Sequence, residues 1–188
     1  MIRSVCVFCG SAPGARPSYS AAAAELGTAL ARGGITVVYG GGRLGLMGIV
    51  ADAALKAGGR VVGVIPRMLI EREVSHSKLT EQHVVTTMHE RKTLMAELSD
   101  AFVGLPGGMG TFDELVEIVT WAQLGLHTKP VICANIENYF DPMYAMLDYA
   151  VAERFVTPES RARWRNAESV DGVMRLLSKE RLAGEGIP

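Results

Sequence analysis

The chain has 188 residues, 48% of them hydrophobic and 21% charged, and a formal net charge of −1. That length and composition suit one globular domain with a substantial core. A charge so near zero argues against a general nucleic-acid or membrane-surface binder, and no apolar run approaches the length of a membrane span.

Met1 to Gly10 carries one arginine and a short apolar run that ends in glycine. It reads as a first strand, Ser4 to Phe8, and not as a signal peptide, so the cytoplasm is the default location. Gly10 to Gly14 is a turn. Ser18 to Arg32 is Ala-rich and helical, with Ser18 as N-cap and Gly33-Gly34 as the stop. Ile35 to Tyr39 is the second strand, followed by the glycine turn Gly40 to Gly45 and a helix to about Lys56. Arg60 to Ile65 is the third strand, ended by Pro66. Arg67 to Gln82 is polar and irregular, with room for a short helix and a loop. His83 to Thr87 reads as a short strand and Met88 to Leu98 as a helix. Ala101 to Leu105 is a strand, Thr111 to Leu124 a helix, and Pro130 to Asn135 a strand. Phe140 to Phe155 and Val170 to Arg181 are helices, and Ala183 to Pro188 is expected to fray.

Short β-branched strands without polar alternation, each followed by a helix, predict an α/β fold. The expected form is a Rossmann-like doubly wound parallel sheet in a single domain, residues 1–188. Ligands of such sheets bind beyond the carboxyl ends of the strands. Three glycine turns fall there: Gly10 to Gly14, Gly40 to Gly45 and Gly107 to Gly110. The third has the most chemistry. Leu105-Pro106-Gly107-Gly108-Met109-Gly110-Thr111-Phe112-Asp113-Glu114 runs from strand through turn into helix, which offers unpaired N–H groups and a partial positive charge to an anion. Glu114 lies one turn into that helix. It has two readings of equal weight: a carboxylate beside a bound phosphate, or the last member of a Thr111-x-x-Glu114 capping box.

Other nucleotide chemistries lack their residues. Gly40-x-Gly42-x-x-Gly45 has the letters of a dinucleotide fingerprint, but the next strand, Val61 to Pro66, ends without the acid that would hold a ribose. No G-x-x-x-x-G-K-[ST] phosphate loop, H-E-x-x-H or G-x-S-x-G is present. His76, His83, His89 and His127 are scattered. Cys6 and Cys9 form a C-x-x-C inside a strand-like run. Three strand residues span roughly 10 Å and the two side chains face opposite ways, which excludes a disulfide between them. Free, buried thiols are expected. Met88-His89-Glu90-Arg91-Lys92 opens a helix with two cations, which the macrodipole disfavours there. Either the helix start is simply solvated or the cations serve an anionic ligand. Arg161-Ala162-Arg163-Trp164-Arg165 reads as a solvated helix face or a subunit contact.

Phe8-Cys9-Gly10-Ser11, Tyr39-Gly40-Gly41-Gly42 with Gly45-Leu46-Met47-Gly48, Met88-His89-Glu90-Arg91-Lys92 and Pro106 to Glu114 occur in this order. Together they resemble the LOG ("Lonely guy") family of cytokinin riboside 5′-monophosphate phosphoribohydrolases, from the first strand to about Phe155. The resemblance implies a homodimer that hydrolyses the N-glycosidic bond of a purine nucleoside 5′-monophosphate without a cofactor. The products would be free base (adenine or a cytokinin) and ribose 5-phosphate. It implies Arg91 and Glu114 as the catalytic pair. Ser11, Glu73, Met88, Lys92, Pro106, Gly107, Gly108, Met109, Gly110, Thr111 and Phe112 would contact substrate, the glycine turn taking the phosphate. Glu73 is the best match to an acidic substrate contact upstream of the Arg-Lys pair. Met88, Met109 and Trp121 are the candidates for an apolar pocket around an N6 substituent. Members were long labelled lysine decarboxylases, but nothing here marks a pyridoxal phosphate lysine. The alternative is a non-catalytic carrier of a nucleotide or of molybdenum cofactor on the same fold.

Overall fold

Among the described residues, seven short strands form one sheet, in the order β4-β3-β2-β1-β5-β6-β7, and every neighbouring pair is parallel. The protein is seen in a computed structural model that describes residues 2–70 and 75–183, with side chains as far as residue 180. In chain order the elements are β1 (Ser4–Phe8), α1 (Pro17–Arg32), β2 (Thr36–Tyr39), α2 (Gly45–Lys56), β3 (Val61–Pro66) and α3 (Arg67–Ile70). Then come β4 (Glu81–Val85), α4 (Met88–Glu97), β5 (Ala101–Gly104), α5 (Met109–Gln123), β6 (Val131–Ala134) and a 3-10 turn (Ile136–Asn138). The chain continues with α6 (Asp141–Ala152), α7 (Pro158–Ala162), β7 (Trp164–Ala167) and α8 (Val170–Ala183).

The central strands are buried on both faces, which is why they are continuously apolar. Val5 and Val7 of β1 point to a layer built from Leu26 and Leu30 of α1, Val50 and Ala54 of α2, and Val173 and Leu177 of α8. Cys6 and Phe8 point the other way, to Met95 of α4, Leu115, Ile118 and Val119 of α5, and Tyr144 of α6. The doubly wound sheet expected from the strand pattern is therefore present. The thiols behave as the strand period demands. Cys6 packs in one layer and Cys9 in the other, both buried and free.

Strand order reverses between β1 and β5. Their carboxyl ends lie side by side, with Leu105 N–H donating to Phe8 O at 2.9 Å and Gly10 N–H to Pro106 O at 3.1 Å. The crevice of a doubly wound sheet opens at such a point, and here it is walled by the first and third glycine turns.

Several boundaries differ from the sequence reading. α1 begins at Pro17 with Arg16 at the N-cap and no side-chain cap; proline at the first helical position displaces Ser18 from that role. β4 spans Glu81–Val85 rather than His83 to Thr87, because Thr87 is committed to capping α4. The cluster from Arg161 to Arg165 is not one helix face. It crosses from α7 into β7, an edge strand whose Trp164 and Ala167 are buried while Arg165 reaches Glu180 of α8. A four-residue strand that follows Arg163 and contains Arg165 has too few apolar positions to show a period of two.

Candidate functional site

The site grows from three local structures. The first is the start of α5. Its N-cap is Gly108, without a side-chain cap, and its first intrahelical bond runs from Phe112 N–H to Gly108 O at 3.1 Å. The amides of Met109, Gly110 and Thr111 therefore have no acceptor within the helix, and the dipole adds positive potential there. A Cβ on Gly107 would stand 2.1 Å from Thr111 Oγ1, so only glycine lets the turn fold so closely on the helix. A Cβ on Gly108 or Gly110 would meet nothing within 4 Å, which leaves their backbone open to an approaching anion. Behind the turn, Tyr139 donates its hydroxyl to Gly107 O and stacks on Phe112.

The second is the start of α4. Thr87 accepts from Glu90 N–H, and the Glu90 carboxylate accepts from Thr87 N–H, a complete capping box. The capping box anticipated at Thr111 and Glu114 is absent. α5 begins two residues earlier than expected, so Thr111 is its third residue and Glu114 its sixth, beyond the reach of a cap.

The third is Arg91, and carbonyls within β3 and just past β2 explain a cation at a helix start. Arg91 Nε donates to Val64 O at 3.2 Å and Nη2 to Gly40 O at 3.3 Å. Its third nitrogen, Nη1, lies 3.6 Å from Glu114 Oε1. Both side chains are nearly enclosed, 11% and 10% exposed. The separation is longer than a good hydrogen bond, so the pair is electrostatic. Burial pushes the Glu114 carboxyl up to about 7, with Arg91 opposing and Asp113 adding to the rise. A carboxylate that changes charge near neutrality inside a cleft suits acid–base work.

Arg91 and Glu114 share a cleft of about 220 Å3 with Cys9, Gly10, Ser11, Met47, Leu69, Gly108, Met109, Gly110 and Thr111. A neighbouring cavity of about 280 Å3 takes in Pro106, Gly107, Tyr19 and Tyr139. Of the residues predicted from sequence, Ser11, Arg91, Gly108, Met109, Gly110, Thr111 and Glu114 thus come together. Pro106 and Gly107 line only the adjoining cavity. Phe112 packs under the turn, and Met88 is exposed at the head of α4 outside the cleft. Lys92 also stands outside it, bonded to Asp113 and Glu117 at 3.1 and 3.0 Å. Trp121 packs against the core instead of the cleft. Glu73 lies outside the described residues.

Sequence reasoning missed Met47, Leu69 and Gly40 as contributors. Met47 had its signal in its position two residues after the second glycine turn. Leu69 sits in a segment without periodicity and had none. Among the described residues, no group of three or more histidine, cysteine or acidic side chains could hold a metal ion. Among them, too, no helix is long and apolar enough to cross a membrane.

Residues 47–177 match the protein family described as "Possible lysine decarboxylase". The chain is 50% identical over 159 residues to "Cytokinin riboside 5'-monophosphate phosphoribohydrolase LOG" of Oryza sativa subsp. japonica, spanning 85% of this chain and 66% of the rice protein. It is 47% identical over 176 residues to the cytokinin riboside 5'-monophosphate phosphoribohydrolase of Rhodococcoides fascians, spanning 93% and 89% of the two chains. Among solved structures, the molybdenum cofactor binding protein of Rippkaea orientalis matches with a TM-score of 0.72 at 22% identity, over 95% of this chain and 97% of that one. At that identity the likeness carries the fold alone. Near-half identity to the LOG proteins, over most of this chain, carries more: the chain belongs to the LOG family of cytokinin riboside 5′-monophosphate phosphoribohydrolases.

Proposed function

We propose that this protein hydrolyses the N-glycosidic bond of purine nucleoside 5′-monophosphates, AMP or its N6-substituted forms, to free base and ribose 5-phosphate. The observation that carries the reading is the enclosed Arg91–Glu114 pair beside the open amides of the α5 N-terminus. Helical side chains lean toward the N-terminus, and Gly110 to Glu114 is one turn, a rise of about 6 Å. A phosphate on the amides of Met109 to Thr111 thus puts the ribose beside the Glu114 carboxylate.

Cleavage of C1′–N9 leaves positive charge on the sugar, as in glycoside hydrolysis. Ionised Glu114 stabilises that charge and takes a proton from the water that attacks C1′; the base leaves with the electron pair of the broken bond and takes up one proton, so one water is consumed per bond cleaved. Arg91, fixed by the carbonyls of Val64 and Gly40, holds the phosphate or ribose and keeps Glu114 in place. Binding energy from the remote phosphate positions C1′. Met47, Leu69 and Met109 give the cleft an apolar side suited to an N6 substituent.

Incubating the pure protein with AMP, and separately with an N6-isopentenyl analogue, tests the reading by chromatography of the released base. Arg91→Ala is expected to lose at least about 100-fold in turnover while circular dichroism stays unchanged. Release of no base from either nucleotide, or an Arg91→Ala rate near wild type, would end it.

The proposal includes a homodimer in the cytoplasm. Val116, Leu124 and Leu126, on and just beyond the outer face of α5, are exposed apolar residues close in sequence. Three buried free thiols fit a reducing compartment. Sedimentation is expected to give twice the chain mass, and Leu124→Lys to reduce it to one; a monomeric wild type refutes the dimer.

A further inference from the structure

Lys92 adjoins Arg91 in sequence but turns away from the cleft. Its ammonium bridges Asp113 Oδ2 at 3.1 Å and Glu117 Oε2 at 3.0 Å, and its side chain is only 12% exposed. Those two carboxylates flank Glu114 on α5, one residue before it and three after. Three acids thus crowd within about one turn, and α4 answers with two consecutive cations, one for the reacting carboxylate and one for its neighbours. From this geometry we infer that Lys92 is a positioning residue: it cancels the charge of Asp113 and Glu117, and ties α4 to α5 so that Arg91 and Glu114 keep their separation.

The inference rests on the reading of Glu114 as the reacting carboxylate. The charged and titratable groups that act on Glu114 are Arg91 and Lys92 from α4 and Asp113 and Glu117 from α5. The buried thiols of Cys6 in β1 and Cys9 just past its end also feel it. β3 and the turn just past β2 contribute the carbonyls that hold Arg91. Lys92 favours the ionised form of Glu114, while Asp113 and Glu117 disfavour it. Removing Lys92 therefore exposes Glu114 to two uncompensated like charges.

The test is the acid limb of kcat/KM with AMP, which reports groups of the free enzyme. Beside it, the Glu114 carboxyl carbon is titrated by NMR and assigned by its loss in Glu114→Gln. Lys92→Met is expected to move both midpoints up by about half to one pH unit. Lys92→Arg keeps the charge and should stay with wild type. Glu117→Gln removes a like charge and should move both midpoints down. A tie that is only structural lowers thermal stability without opposite shifts from the two variants. An unmoved Glu114 midpoint in Lys92→Met overturns the inference; if that variant does not fold, the Glu117→Gln midpoint decides in its place. A wild-type protein inert toward AMP sinks the hydrolase reading alone. The carboxyl titration needs no turnover, so a moved midpoint still sustains the role of Lys92 and an unmoved one ends it.

Discussion

Glu114→Gln should leave the protein folded, more stable above pH 7, and at least about 100-fold slower to release base. The carboxyl is 10% exposed, and burial lifts it from an ordinary 4.5 to about 7. Between those two values the folded chain holds a proton that the unfolded chain has lost. Stability therefore falls as pH rises through that window, and the cost is complete above it. At 1.36 kcal/mol per pH unit the cost is on the order of 3 kcal/mol. Glutamine keeps the shape and cannot ionise, so the cost disappears. The same change removes the group that accepts the proton of water, a loss of about 10²- to 10⁴-fold in kcat. Melting curves from pH 5 to 9, with adenine release at each pH, check both halves. Wild type is expected to lose melting temperature as pH rises while the variant stays flatter. Parallel curves with retained turnover would return Glu114 to a structural role. The start of α5 at Met109 already removes the capping role, in which Gln would have been silent.

Gly40→Ala is the sharper test of Arg91, because it deletes no catalytic group and displaces only one. A Cβ at residue 40 would lie 1.8 Å from Arg91 Nη2, and the nearest atoms are all of that one side chain. The backbone at Gly40 is not in the left-handed region, so alanine itself is tolerated there. The guanidinium is what must move, losing its bond to Gly40 O and its place beside Glu114. Alanine reduces the entropy of the unfolded chain by about 0.4–1 kcal/mol, which offsets much of one lost hydrogen bond. The melting temperature should stay near wild type while kcat/KM for AMP falls by about 100-fold, the cost of displacing a reacting group by about an ångström. A fully active Gly40→Ala protein would mean that Arg91 can leave Gly40 O without consequence.

The family resemblance led to Arg91 from the residue string alone, but the string could not say why a cation opens α4. The macrodipole argues against it, and the favourable partners, Val64 O and Gly40 O, lie 27 and 51 residues away. Lys92 shows the same limit in reverse. Its neighbour touches the cleft, so sequence assigned both to substrate, whereas about 100° of helical rotation per residue sends Lys92 to Asp113 and Glu117.

What the sequence determined by itself was periodic or local. Apolar runs of four to six residues made parallel strands, because a strand buried on both faces must be apolar throughout. Glycine turns marked the carboxyl edge, because only glycine permits such close backbone approach. What the tertiary structure alone decided was pairing across distance. It set the start of α5 at Met109, where the turn packs on Gly10, and so moved Glu114 out of cap range. It then buried Glu114 against Arg91 and lifted its carboxyl toward neutrality. Desolvation and Coulomb attraction depend on separation in space. Residues 91 and 114 come within reach only once the sheet has brought α4 and α5 together on one face.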